Sequence, residues 1–169
     1  CKNFLRLQPS AQARLTVEND DKANMYSVKD LYEGVYKVVG IPIVFDYFHH
    51  KFCTGDMTEE EALKLAASTW GDIKPCTHYS ESRRAEKKLV IEQICENNNI
   101  TMEQMQDWPT LAGHYKEFSK IKEQAHSDYI KEEIKDYGLD IDVVVEAKAK
   151  ELAFMSEEYK KVLTEVLPC

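Results

Sequence analysis

Ile41-Pro-Ile-Val-Phe-Asp46, followed at once by Tyr47-Phe-His-His50, is the stretch that decides the fold. An apolar run ending in a carboxylate reads as a strand buried on both faces, the kind found in parallel sheets. Its terminal Asp46 then stands in the mouth of the sheet, where α/β enzymes bind substrates. Two other stretches repeat the design: Arg14-Leu-Thr-Val-Glu18, followed by Asn19-Asp-Asp21, and Asp142-Val-Val-Val-Glu146. Between them a further strand is expected to end at His78, in Cys76-Thr-His-Tyr-Ser-Glu81.

Helices with recognisable starts and stops separate these strands. Ser27 reads as the N-cap of a helix running to about Val39 and stopped by Gly40. Thr58-Glu-Glu-Glu61 is a capping box that opens a helix to about Trp70, followed by Gly71. Strand, helix and glycine in repeating order make a βαβ pattern. From Glu18 to Asp46 is 28 residues and from Asp46 to His78 is 32. Both are close to the ~31 per unit of an eight-unit barrel of ~250 residues.

From His78 to Glu146 is 68 residues. The excess reads as a helical insertion at about 82–125, with a capping box at Thr101-Met-Glu-Gln104 and a stop at Trp108-Pro109. A short helix from about Tyr129, ended by Gly138, is expected to lead into the last strand. Ala147–Phe154 and Ser156–Leu167 read as helices, the second capped by Ser156. The fold expected is α/β, about four βα units forming half of a (β/α)8 TIM barrel in one partial domain, 1–169, with the helical insertion. Such a half exposes two strand edges, which demand partners. Either the missing half of the barrel or a second copy would cover them.

With 43% hydrophobic and 31% charged residues, the composition is that of a folded globular chain. No apolar stretch approaches the ~20 residues of a membrane span, so no membrane partner is expected. The chain starts at Cys1 rather than Met and reads as a fragment. The five cysteines, at 1, 53, 76, 95 and 169, form no CxxC pair. They read as free thiols of a reducing compartment, hence an intracellular protein of cytoplasm or nucleus, of cellular or viral source. A formal net charge of −8 argues against non-specific nucleic-acid binding. Carboxylates that hold divalent cations count as −1 each, however, while the loaded site is positive, so a nucleic-acid substrate stays open.

Asp46-Tyr-Phe-His49 carries the strongest local signal for chemistry. The carboxylate ends the strand, and three residues on an imidazole can turn back beside it. Oxygen plus imidazole suits Mn²⁺, Fe²⁺ or Zn²⁺ better than Ca²⁺. The plain alternative is a capping aspartate beside an exposed histidine. His50 is expected to be solvated or to support the ligands. Glu18 is a candidate bridging carboxylate, whereas Asp20 and Asp21 read as a solvated turn. Glu146 doubles as an acid at a helix N-terminus. His78 and His126 each read as ordinary structural or loop histidines when taken alone, and His114 as a surface residue. Arg83-Arg84 with Lys87-Lys88 reads as a solvated helix face, or as a rim that meets phosphates. Tyr32, Tyr36, Phe45 and Trp70 read as core.

Taken in order, these segments resemble the UV damage endonucleases, a DNA-repair family with a TIM-barrel fold. The matching text is Arg14-Leu-Thr-Val-Glu-Asn-Asp-Asp21, Gly40-Ile-Pro-Ile-Val-Phe-Asp-Tyr-Phe-His-His50, Glu60-Glu-Ala-Leu with Thr69-Trp70, His78-Tyr-Ser-Glu81, His126-Ser-Asp-Tyr129 and Val145-Glu-Ala-Lys-Ala-Lys-Glu151. The resemblance implies the C-terminal half of the family's barrel, a cluster of divalent metals, usually manganese, and nicking of damaged double-stranded DNA 5′ of UV photoproducts, which starts excision repair. It implies Glu18, Asp46, His49, His78, His126 and Glu146 as metal ligands. Glu18, Glu146 and His78 are expected to be catalytic, with Glu18 and Glu146 bridging, and Ser80, Arg83 and Arg84 to contact nucleic acid.

Three departures stand out. The family's first strands, with further histidine ligands and the residues that probe damaged bases, have no counterpart here. The family's lysine two residues before His78 is replaced by Cys76, whose thiolate would suit a softer metal such as zinc; Lys74 lies ~7 Å deeper along the strand. The 82–125 insertion is longer than the simplest members need. The expected mechanism is metal-assisted phosphodiester hydrolysis, with this fragment alone binding metal weakly and not incising DNA. The alternatives are an apurinic-site endonuclease, a metal-dependent sugar isomerase-like barrel, or a non-catalytic fragment whose carboxylates only cap helices.

Overall fold

Four parallel strands hydrogen-bond side by side in the order of the sequence: β1 (Val17–Glu18), β2 (Ile43–Asp46), β3 (Cys76–Tyr79) and β4 (Asp142–Val145). They are seen in a computed structural model that describes residues 1–155. The register aligns Glu18 with Val44, Asp46 with His78, and His78 with Val144. Side chains alternate between faces with a period of two. The register therefore sends Glu18, Asp46, His78 and, one step beyond β4, Glu146 to the same face at the same end of the sheet. This is the half-barrel arrangement of consecutive parallel βα units that the strand spacing predicts.

Local chemistry explains the connections. Ser27 and Asp30 cap each other, and the helical run that follows (Val28–Leu31, Tyr32–Tyr36, Lys37–Val39) stops at Gly40, whose φ is 71°. Its middle turn, Tyr32–Tyr36, is π-helical, and the rings of Tyr32 and Tyr36 stack there at 5.3 Å. Thr58 and Glu61 form the second box, opening Glu59–Ala67, which tightens to a 3₁₀ turn at Ser68–Trp70. That turn serves the start of β2 directly. Thr69 Oγ1 accepts from the Ile43 amide at 2.9 Å and Trp70 Nε1 donates to the Ile43 carbonyl at 2.7 Å. Ile43, Phe45, Tyr47, Phe48, Leu63 and Val28 are almost fully buried and form the core of this part.

The described chain divides into two compact units, residues 1–80 with 132–146, and residues 81–131 with 147–155. The second unit holds the helix Arg83–Asn98, the 3₁₀ turn Gln104–Asp107 and the helix Ala112–Ser119. It has its own core of Ile91, Cys95, Met105 and Phe118. Ser82 caps its first helix, and Thr101 and Gln104 exchange the hydrogen bonds of the predicted capping box.

Four expectations need correction. β1 spans only Val17–Glu18 rather than the whole of Arg14–Glu18. The expectation of strands buried on both faces holds for β2, but β4 alternates exposed and half-buried, with Val144 47% exposed. No further strand pairs β4 among the described residues. No helix forms from Tyr129. Ile130 is fully buried, the Lys131 amide donates to Glu81 Oε1, and the Lys135 carbonyl accepts from Tyr47 Oη at 2.8 Å. The chain here turns through Tyr137 and Gly138, both with positive φ. Ala147–Phe154 is not an α-helix: a turn leads into 3₁₀ structure at Lys150–Met155, where Lys150 has a φ of 53°. The expected helix Ser156–Leu167 lies outside the described residues.

Candidate metal centre

Asp46 is the hinge of the cluster. It ends β2 at 0% exposure and caps the short helix Tyr47–His50, its Oδ1 accepting from the His49 amide at 2.8 Å. The capping reading of Asp46 is therefore right for one oxygen. The other, Oδ2, is buried with no hydrogen-bond partner. The helical turn that Asp46 starts brings His49 back beside it, with Nε2 4.0 Å from Oδ2.

Two sets of three donors gather here: Glu18, Asp46 and His49, and Asp46, His78 and Glu146, each with ligand atoms within 4.8 Å of one another. Asp46 belongs to both. Glu18 spans them as well, with Oε1 3.2 Å from His49 Nδ1 and Oε2 3.2 Å from His78 Nδ1. Glu146 Oε1 lies 3.4 Å from the same His78 nitrogen. Although these distances are short, His78 Nδ1 has no contact with the alignment of a hydrogen bond. Donors each ~2.0–2.2 Å from one ion lie roughly 3–4 Å from one another. An unsatisfied buried carboxylate oxygen and a misaligned imidazole nitrogen, facing shared carboxylates, fit a divalent cation better than they fit a proton.

Electrostatics follow from this crowding. Burial pushes the Asp46 carboxyl up to about 6, with the charges of Glu18 and Glu146 adding to the push while His49 opposes it. Burial also works against Glu18, but His49 and His78 overcome it and hold that carboxyl down at about 2. His49 is raised to about 9: burial opposes the rise, which Glu18, Asp46 and the Asn19 carbonyl produce. Glu18 likewise raises His78, against burial.

Asn19 was missed by the sequence reading and organises the site. It is 1% exposed, and its side-chain amide pairs with the backbone of Asp46. Its own carbonyl oxygen lies 2.8 Å from His49 Nδ1, so Nε2 is the nitrogen that could hold a metal. The only sequence signal was its place directly after Glu18, on the opposite face of the strand.

Other candidates belong to neither donor set. His50, expected to be solvated or supporting, is 4% exposed and packs 5.4 Å from the Phe45 ring, because the helical turn points it into the core. Asp20 accepts from the Lys22 amide in the expected turn. Cys76 shares the face of His78 but belongs to neither donor set. Burial raises its thiol pKa, and Asp142 adds to the rise. Lys74 is held by Asp140 and Asp142. Ser80 is 1% exposed. His126 belongs to the second unit, where it bridges to Ser82, and to neither donor set. Arg84, in that same unit, binds Glu123 at 2.7 Å and the Ile121 carbonyl at 2.6 Å, with its guanidinium over Phe118. His114 is exposed. Among the described residues no helix is long and apolar enough to cross a membrane.

A family model described as "UV-endonuclease UvdE" matches residues 1–165. The chain is 36% identical over 91 residues to a UV-damage endonuclease of Neurospora crassa, a match covering 47% of this chain and 13% of that protein. It is 38% identical over 91 residues to a UV DNA damage endonuclease of Bacillus pumilus, covering 52% of this chain and 27% of that protein. A solved structure described as the crystal structure of SacUVDE superposes with a TM-score of 0.62 at 24% identity, over 98% of this chain and 44% of that one. That likeness establishes the fold. In each case the match covers less than half of the other protein.

Proposed function

The chain belongs to the UV-endonuclease family UvdE, and from that membership we propose that it forms part of a divalent-metal-dependent DNA repair endonuclease. This enzyme acts inside the cell, on damaged double-stranded DNA. It nicks the backbone 5′ of UV photoproducts and so initiates excision repair. The observation that carries the reading is the buried, unpartnered Oδ2 of Asp46, common to two sets of donors.

Glu18, Asp46, His49, His78 and Glu146 would hold the metal, and the family resemblance adds His126 as a sixth ligand. Manganese suits this mixture of carboxylate and imidazole; zinc is the competitor. When bound, divalent ions supply Lewis-acid polarisation of a phosphodiester and a nucleophile near neutral pH. The protein's own part is positional. Asn19 fixes the backbone of Asp46 and the ring of His49, the His49 amide holds Asp46 Oδ1, and Glu18 reaches both histidines. Glu18, Glu146 and His78 line the shared face and are the residues assigned to catalysis. Selectivity would come from drawing the lesion out of the stack, which costs least where stacking is already weakened.

The test is to incubate the complete gene product with Mn²⁺ and an end-labelled duplex carrying one cyclobutane dimer. A single metal-dependent nick 5′ of the dimer, lost in Glu146→Gln, is the expected result. Cleavage at an abasic control with none at the dimer would move the assignment to apurinic sites.

A further inference from the structure

The basic cluster at the start of helix Arg83–Asn98 is divided by its partners. Arg84 is neutralised by Glu123, and Lys88 lies 3.5 Å from Glu92. Arg83 and Lys87, one helical turn apart, have no ion pair or side-chain hydrogen bond among the described residues. Both instead line a cavity of about 360 Å³ within the second unit, together with Lys120 and His114. Lys120 is likewise without an acidic partner among the described residues. The Nε of Arg83 is buried with nothing to donate to, a costly state for a charged group. Glu117 is the one acid lining the cavity, and Ile91 and Phe118 give it an apolar floor.

Three cations against one acid, above an apolar floor, in a chain of net charge −8, are the opposite of a solvated helix face. A lone inorganic anion would leave the floor unused, and an apolar ligand would leave the cations unpaired. A phosphodiester with its attached sugar satisfies both. Arginine adds a planar fork suited to phosphate oxygens. We propose that this cavity is a second DNA-binding site, separate from the candidate metal centre, which grips a backbone phosphate through Arg83, Lys87 and Lys120. The proposal rests on the reading that the substrate is DNA, but it concerns binding rather than incision.

The test measures affinity for an end-labelled undamaged duplex by fluorescence anisotropy, in EDTA, over a range of salt concentrations. Each lost phosphate contact reduces the slope of log K against log [salt] by about 0.9. Lys87→Gln/Lys120→Gln is expected to weaken binding and make that slope shallower by nearly two. Lys116→Gln/Lys122→Gln changes charge equally on the same unit, outside the cavity, and is expected to leave the slope unaltered. Arg83→Lys keeps the charge but loses the fork, so affinity falls while the slope holds. Equal effects of the two lysine pairs, no effect of the first pair, or no binding of duplex would overturn the proposal. So would competition by inorganic phosphate or thymidine monophosphate at the affinity of duplex, which would mark a small-anion site. Absence of incision with the slope effect intact would remove the repair reading and leave the DNA site standing.

Discussion

The side-chain amide of Asn19 and the backbone of Asp46 form a closed pair: Asn19 Nδ2 donates to the Asp46 carbonyl at 3.0 Å and the Asp46 amide donates to Asn19 Oδ1 at 2.9 Å. A buried asparagine just past the end of β1 thus supplies, at the end of β2, the hydrogen bonds that a longer β1 would have supplied. It clamps the strand at the residue that both donor sets share.

Asn19→Ala should therefore damage both stability and metal binding. Each buried backbone group left unpaired costs about 1–3 kcal/mol. Loss of a partner that orients a ligand lowers metal affinity ~10–100-fold. Urea unfolding and Mn²⁺ titration calorimetry should each register the loss. Unchanged Mn²⁺ affinity in a destabilised protein would mean that Asn19 serves the fold alone.

Substitutions within the cluster should separate its two halves. Asp46→Asn removes the buried charge from both donor sets and should abolish binding of every ion, yet leave the metal-free fold as stable or more so. Glu146→Gln and His49→Ala touch one set each and should each spare an ion. Mn²⁺ stoichiometry by equilibrium dialysis distinguishes these outcomes; equal loss in all three variants would argue for a single ion.

What the sequence makes legible is local. Carboxylates at strand ends, the boxes at Ser27 and Thr58 and the stop at Gly40 depend on neighbours a few residues away, and each is found in place. Those strand ends bring Glu18, Asp46, His78 and Glu146 to one face because parallel strands in this register share a side-chain parity. What is not legible depends on distant partners. Asn19 carries no role in the sequence until Asp46 lies across from it, 27 positions on. His50 reads as solvated or as supporting the ligands until the turn begun by Asp46 sends it into the core. The segment after Tyr129 has helical composition, yet it packs irregularly, with Ile130 fully buried and the Lys135 carbonyl bonded by Tyr47, 88 positions away.

Gly55 and Gly40 offer a matched comparison. Both have left-handed backbone, with φ of 61° and 71°. A Cβ at Gly55 would collide with Oγ and Cβ of Ser27, the buried N-cap, whereas one at Gly40 would meet nothing within 4 Å. Gly40→Ala should cost only the roughly 1–2 kcal/mol of left-handed strain. Gly55→Ala should add about 1–3 kcal/mol of overpacking. Thermal unfolding of the two variants checks the difference, and equal shifts would show that Ser27 moves aside without loss.

The Ser27–Asp30 box should give stability a definite dependence on pH. The Ser27 hydroxyl donates to Asp30 Oδ2 at 2.6 Å and the Ser27 amide donates at 2.9 Å. These bonds, with a smaller contribution from Lys29 and against slight burial, hold the Asp30 carboxyl below its ordinary value of 3.8. A carboxyl depressed in the folded state contributes stability that is present above its unfolded pKa and is lost as pH falls through the folded one. Asp30→Asn should therefore be less stable than the parent at pH 7, by roughly the 0.5–2 kcal/mol typical of capping changes. The gap should narrow as pH falls below the ordinary carboxylate range. Urea titrations at pH 7, 5 and 3 read it directly. A gap that stayed constant across that range would assign the loss to altered geometry at the cap rather than to the carboxylate charge.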